Sequence, residues 1–144
     1  MSDLEKQPER ATRILLAYNG SRLSQAALRA LVERHRAQNA EVEVLYAEPV
    51  WSWDGPGSQV QRLINQAAQV LRSAGFKVKT LIMTGATSDA IIYAAAEWDA
   101  DLIVLGWHGR AALRRFLFGS MADAVTHHVH CSVELVRDRT ETSA

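Results

Sequence analysis

At 144 residues, 48% hydrophobic and 22% charged, the chain has the size and balance of one globular domain, too short for two ordinary ones. Sixteen basic residues cancel sixteen acidic ones, which argues against a nucleic-acid or anionic-membrane surface. The single cysteine, Cys131, excludes an internal disulfide framework and suits a reducing compartment.

Residues 1–11 are polar and charged without an apolar stretch, which reads as a flexible tail and not as a signal peptide. No later run is long enough to span a bilayer, so a cytoplasmic protein without a membrane partner is expected. Arg13-Ile14-Leu15-Leu16-Ala17-Tyr18 reads as a buried first strand closed by the turn Asn19-Gly20. Ser21 is placed to cap a helix whose inward face carries Leu23, Ala26, Ala27, Ala30 and Leu31. Residues 42–47 form a second strand, followed by a Pro/Gly-rich loop holding Trp51 and Trp53. Val60, Leu63, Ile64, Ala67, Ala68 and Leu71 fall on one face of a second helix, which Gly75 is placed to end. Residues 78–83 begin with the alternation of an edge strand. Thr87, Ser88 or Asp89 is expected to cap a third helix containing Ile91, Ile92, Ala95 and Ala96. Leu102-Ile103-Val104-Leu105 is continuously apolar, as in a strand covered on both faces. Beyond a glycine-bearing loop, Ser120 and Asp123 have the spacing of a capping box for a fourth helix running to His127-His128. Residues 133–136 make the last strand, and residues 138–144 a second flexible polar tail. The domain therefore spans 12–137. Alternation of five strands with four helices implies an α/β doubly wound parallel sheet with helices on both faces.

Ligands of such sheets bind beyond the C-terminal strand ends, where the winding reverses. Two turns compete for that place: Asn19-Gly20-Ser21 after the first strand and the loop from Gly106 to Ser120 after the fourth. The second carries His108, Arg110, Arg114 and Arg115 with no Asp or Glu from Leu102 to Ala122, a composition suited to polyphosphate. Gly106 and Gly109 offer backbone N–H groups to an anion, and Ser120 opens a helix whose dipole favours one. It is neither a Walker A loop nor a dinucleotide fingerprint. Taken alone, the glycines fit a tight turn and Ser120 a helix cap equally well.

Gly106-Trp107-His108-Gly109, nine residues and then Gly119-Ser120 resemble the Gly-x2-Gly-x9-Gly-Ser/Thr motif of the universal stress protein family. Residues 14–21, 100–106, 113–120 and 128–136 resemble the family's first strand and turn, fourth strand, long loop and closing segment, so the likeness covers 12–137. It implies a sheet of order 3-2-1-4-5, which sets the first and fourth strands side by side. It also implies ATP, with a Mg ion carried by the phosphates. By position, Gly106, Gly109, Gly119 and Ser120 would hold the phosphates, with His108 and Met121 nearby. Ala17, Asn19 and Ala47 would border the adenosine, and Leu105 would line the pocket. A homodimer through the last strand is implied as well, against which Glu134 stands as a mid-strand charge of the kind that guards an edge.

Two residues depart from the family pattern. Asn19 stands where many ATP-binding members carry an acid; its amide still donates and accepts. Trp107 replaces a small residue: turned outward it is harmless, turned inward it blocks the pocket. The leading expectation is a nucleotide-responsive binding module in stress response with no catalytic residue. The alternatives are a slow ATPase, for which only His108 offers a base, and a nucleotide-free dimeric scaffold if Trp107 closes the site. A lid or adenine-stacking role for Trp51 and Trp53, and zinc at His127, His128 and His130, are weaker readings than a surface cluster and a helix C-terminus. Cys131 reads as a buried structural thiol.

Overall fold

Leu15 and Leu16 are neighbours in the chain and both are completely buried. Successive strand residues leave a sheet on opposite faces, so burial of both requires helices on each side. The computed structural model, which describes residues 10–48, 58–107 and 121–138, has that architecture. In chain order the elements are β1 (Thr12–Ala17), α1 (Arg22–His35), β2 (Ala40–Glu48), α2 (Ser58–Ser73), β3 (Lys77–Thr84), α3 (Thr87–Trp98), β4 (Leu102–Trp107), α4 (Met121–His128) and β5 (Ser132–Arg137). All strand pairs are parallel and the sheet order is β3-β2-β1-β4-β5, as the family resemblance implies. Leu16, Val44 and Val104 pack with Leu31 of α1 and Ile64 and Leu71 of α2 on one face. Leu15, Leu45, Ile103 and Leu105 pack with Ile91 and Ala95 of α3 and Val125 of α4 on the other.

Helix ends follow local chemistry with one correction. Ser21 caps α1, its Oγ accepting from Ser24 N at 3.2 Å. Gly75 ends α2 as expected: Gly75 N donates to Arg72 O at 2.9 Å and Phe76 N to Leu71 O at 3.1 Å, with Phe76 buried against the helix. None of Thr87, Ser88 or Asp89 caps α3. The helix starts one residue sooner, and its N-cap is Ala86, which makes no side-chain cap bond. Asp89 consequently lies in the first turn, where its charge complements the helix dipole. The same helix ends on Asp99 in the left-handed region, φ 59° and ψ 53°, with Ala100 N donating to Ala95 O at 2.9 Å.

The two sheet edges differ. On β3, at one edge as its alternation suggests, Arg72 Nη2 donates to Val78 O at 3.1 Å. On β5, Glu134 is not an edge guard: it turns onto α1, accepting from Arg34 Nη1 at 2.7 Å and meeting His35 Nε2 at 2.8 Å. Burial by itself raises the Glu134 carboxyl, but the hydrogen bonds from Arg34 and His35 outweigh it and hold the group below the usual carboxylate range. At the opposite end of the sheet, Glu43 of β2 is 6% exposed, with Lys79 Nζ 3.9 Å away and no hydrogen bond to its Oε1. That ammonium also sits 4.7 Å from the Trp98 ring centroid. Burial pushes the Glu43 carboxyl up, with Lys79 only partly offsetting it.

Candidate functional site

Strands β1 and β4 lie side by side only part of the way. They are in register through Ile14 and Leu102, Leu15 and Ile103, and Leu16 and Val104, and no further pair follows among the described residues. Above that level β1 stays with β2, through Ala17 and Leu45 and a bond from Tyr18 N to Leu45 O of 2.9 Å. Strand β4 stays with β5 up to Trp107 and Arg137. The sheet therefore splits at its C-terminal edge between β1 and β4, the point where its winding reverses.

One side of the split is built from the exit of β1 and the first turn of α1. Asn19 Oδ1 accepts from Ser21 N at 3.0 Å and from Ser24 Oγ at 3.0 Å, and Ser24 Oγ in turn lies 3.3 Å from Asn19 N. A backbone N–H can only donate, so the bond from Ser21 N identifies Oδ1 as the accepting atom and leaves Nδ2 as a donor. Gly20 takes φ +83°, which turns the chain sharply into the helix. Arg22 Nε pairs with Asp138 at 3.3 Å; the acid's side chain is 2% exposed and the arginine's 68%. The carboxylate at this rim is thus buried behind a cation.

Gly106 has a role that its motif does not announce. It and Trp107 belong to β4 rather than to the loop after it, paired with Val136 and Arg137. A Cβ on Gly106 would stand 2.4 Å from Leu23 O and 2.6 Å from Leu23 C. The absent side chain is what lets the first turn of α1 lie directly on β4. Leu105 is completely buried, and Ala17, Ala47 and Met121 are half-buried against the same cluster, so these four share the α3 and α4 face of the sheet. Strand alternation puts half-buried Trp107 on that face too. His108, Gly109, Gly119 and Ser120 lie outside the described residues, as do Arg110, Arg114, Arg115, Trp51 and Trp53.

The sequence profile of the Universal stress protein family matches residues 11–137. The chain belongs to the universal stress protein family. A universal stress protein of Thermus aquaticus is 31% identical over 133 residues, covering 86% of this chain and 97% of that one. Among solved structures, a universal stress protein in complex with cAMP superposes with a TM-score of 0.73 at 23% identity, covering 87% of this chain and 96% of the other. An Arabidopsis thaliana member with AMP bound gives 0.70 at 16% identity, covering 92% and 97%.

In this universal stress protein the remaining candidates have local explanations. His127 Nδ1 donates to Asp123 O at 2.9 Å and His128 Nδ1 to Ala124 O at 2.8 Å, each ring bonding the carbonyl one turn back in the last turns of α4. No three His, Cys, Asp or Glu side chains gather as a metal set among the described residues. Cys131 is half-buried, and burial raises its thiol, the opposite of a reactive cysteine. No helix among the described residues is long and apolar enough to cross a membrane. Sequence reading passed over Asp138, a polar residue at the start of a polar tail that carries no signal of its burial. It also passed over Ser24, for which the Ser-x-x-Ser spacing after Asn19-Gly20 was the available clue.

Proposed function

We propose that this universal stress protein is an ATP-binding regulatory module of the stress response, with occupancy tuning its stability, assembly or choice of protein partner. The observation that carries this reading is the parting of β1 and β4 above Leu16 and Val104, directly where the Gly-x2-Gly-x9-Gly-Ser motif begins. Gly106, Gly109, Gly119 and Ser120 hold the phosphates with His108 and Met121 beside them, and the Mg ion travels with the phosphates. Ala17, Asn19 and Ala47 border the adenosine over Leu105. Gly106 also seats α1 against β4. The described rim fits an anionic ligand, since Asn19 presents an amide donor and the buried Asp138 is neutralised by Arg22. The family members with cAMP and AMP bound support an adenine nucleotide.

A ligand held only by the folded state at a hundred times its Kd adds about 2.7 kcal/mol of stability, which makes occupancy readable by the fold itself. A homodimer through β5 is part of the proposal, supported by the turning of Glu134 away from the edge and onto α1. The test is direct. Freshly purified protein is denatured and the released small molecules identified, and melting is followed with and without Mg-ATP for wild type and Gly109→Val. Adenine nucleotide in the wild type and a shift that Gly109→Val abolishes are expected. No nucleotide and no shift would overturn the reading. ADP accumulating at a rate that His108→Ala abolishes would make the protein an ATPase.

A further inference from the structure

We propose that the protein stacks head to tail on copies of itself, the basic outer face of α1 and α2 on one copy meeting the acidic outer face of α3 on the next. The overall charge of zero conceals an uneven distribution. Helices α1 and α2, on one side of the sheet, carry Arg22, Arg29, Arg34, Arg62 and Arg72 against one acid, Glu33. Helices α3 and α4, on the other side, carry Asp89, Glu97 and Asp123 and neither lysine nor arginine. Arg22 and Arg34 are taken up by Asp138 and Glu134. Arg29, Arg62 and Arg36 at the end of α1 are exposed and make no ion pair among the described residues. The same holds on the other side for Asp89, Glu97 and Asp99.

The uncompensated acids of α3 flank an exposed ring. Asp89, Tyr93 and Glu97 follow at intervals of four residues, so they form one line along the helix, the acids about 12 Å apart. Tyr93 is 57% exposed. On α2, Arg62, Gln66 and Val70 repeat that interval, and Val70 is 48% exposed. Arg62 and Gln66 belong to a shallow hollow that Gln61, Asn65 and Gln69 also line. Tyrosine offers an apolar ring and a hydroxyl tip, which suit Val70 and the amides of this hollow. With the ring there, its flanking acids fall among Arg62 and the unpaired arginines of the same layer. A polyanion would account for the basic layer alone and leave Asp89, Tyr93 and Glu97 without a partner. A second copy satisfies both layers and cancels the charge in every repeat. The two faces lie on opposite sides of the sheet, so the contact is heterologous and growth continues past two copies. It leaves the β5 edge free.

Sedimentation velocity of the full chain over a concentration series tests this, at about 0.02 M and about 0.5 M salt. In wild type, species larger than two copies are expected at low salt and vanish at high salt. Reversing the basic layer (Arg29→Glu with Arg62→Glu) or the acidic stripe (Asp89→Lys with Glu97→Lys) weakens this association about tenfold or more. An equimolar mixture of the two reversed proteins regains it, because each then offers the face that the other lacks. Tyr93→Ser, which keeps every charge, weakens it about fivefold. Wild type that grows no further than two copies at low salt overturns the proposal. So does growth that survives high salt and both reversals, or a mixture that stays apart while its components melt as wild type does. Wild type that binds an oligonucleotide through Arg29 and Arg62 without associating with itself also overturns it, in favour of a polyanion.

Discussion

Gly106 and Leu23 meet backbone to backbone: the hydrogen on the Gly106 Cα faces the Leu23 carbonyl, where a Cβ would lie 2.4 Å from the oxygen. The obstacle is main chain, so no side-chain rotation relieves it. Gly106→Ala must push the first turn of α1 off β4 and is expected to cost about 2–3 kcal/mol, measured as a lower urea midpoint at unchanged m-value. Because Asn19 and the Ser21 cap lead directly into that turn, nucleotide binding weakens along with stability. Gly109→Val is accordingly the sharper test of phosphate binding.

Asn19→Asp keeps an acceptor oxygen for Ser21 N and Ser24 Oγ and adds a negative charge at the start of α1. A gain of about 0.5 kcal/mol in unfolding free energy is expected from the helix dipole. The same change restores the acid that many ATP-binding relatives carry, so Mg-ATP affinity should rise in titrations run with Mg and not in those run with EDTA.

Asp99 occupies the left-handed region at the C-terminal end of α3, where it combines a Cβ penalty with a negative charge facing the negative end of the dipole. Asp99→Gly is expected to raise stability by about 0.5–1 kcal/mol, read from thermal or urea unfolding. A loss of stability would show that the carboxylate makes up for both costs.

Two carboxylates give opposite pH dependences. The Glu134 carboxyl is held below its usual range in the fold, so its contribution is present above the unfolded value and disappears as pH falls through the folded one. Glu134→Gln should lose about 1 kcal/mol at pH 7 and show a flatter decline toward acid. The Glu43 carboxyl is raised, so its ionisation costs stability as pH rises through the folded value. Glu43→Met should gain about 1 kcal/mol at pH 7 and little at acid pH, because Lys79 remains half-exposed on the Trp98 ring. Urea unfolding across pH 3.5–7.5, roughly the span over which carboxylates titrate, separates the two.

Trp107 ends β4 on the face shared with Leu105 and Met121, which makes its ring a reporter as well as an obstacle. With the pocket open, Mg-ATP changes the tryptophan fluorescence and Trp107→Phe removes most of that change, while Trp107→Ala leaves affinity within about threefold. Binding that appears only in Trp107→Ala would instead establish the nucleotide-free scaffold for the wild type.

Much of this protein is decided by short-range patterns. The apolar runs at 14–16 and 102–105, the helical spacing from Val60 to Leu71, the Ser21 cap and the Gly75 stop each act within a few residues, and each appears in the fold as its local chemistry requires. The motif from Gly106 to Ser120 likewise identifies the family, because its spacing is itself a sequence property. Tertiary structure decided the rest, where the deciding partner is distant in the chain. Nothing near Gly106 in the chain announces that Leu23 rests on it, and Glu134 reads as an edge charge until Arg34 and His35 take it from a helix 100 and 99 residues away. Asp138 reads as tail until Arg22 closes over it. Periodicity reports which way a side chain faces, but only packing reports what it meets there. The opening glycine of the motif thus also seats a helix, and the parting of β1 and β4 beside it is a feature of strand order that no single segment encodes.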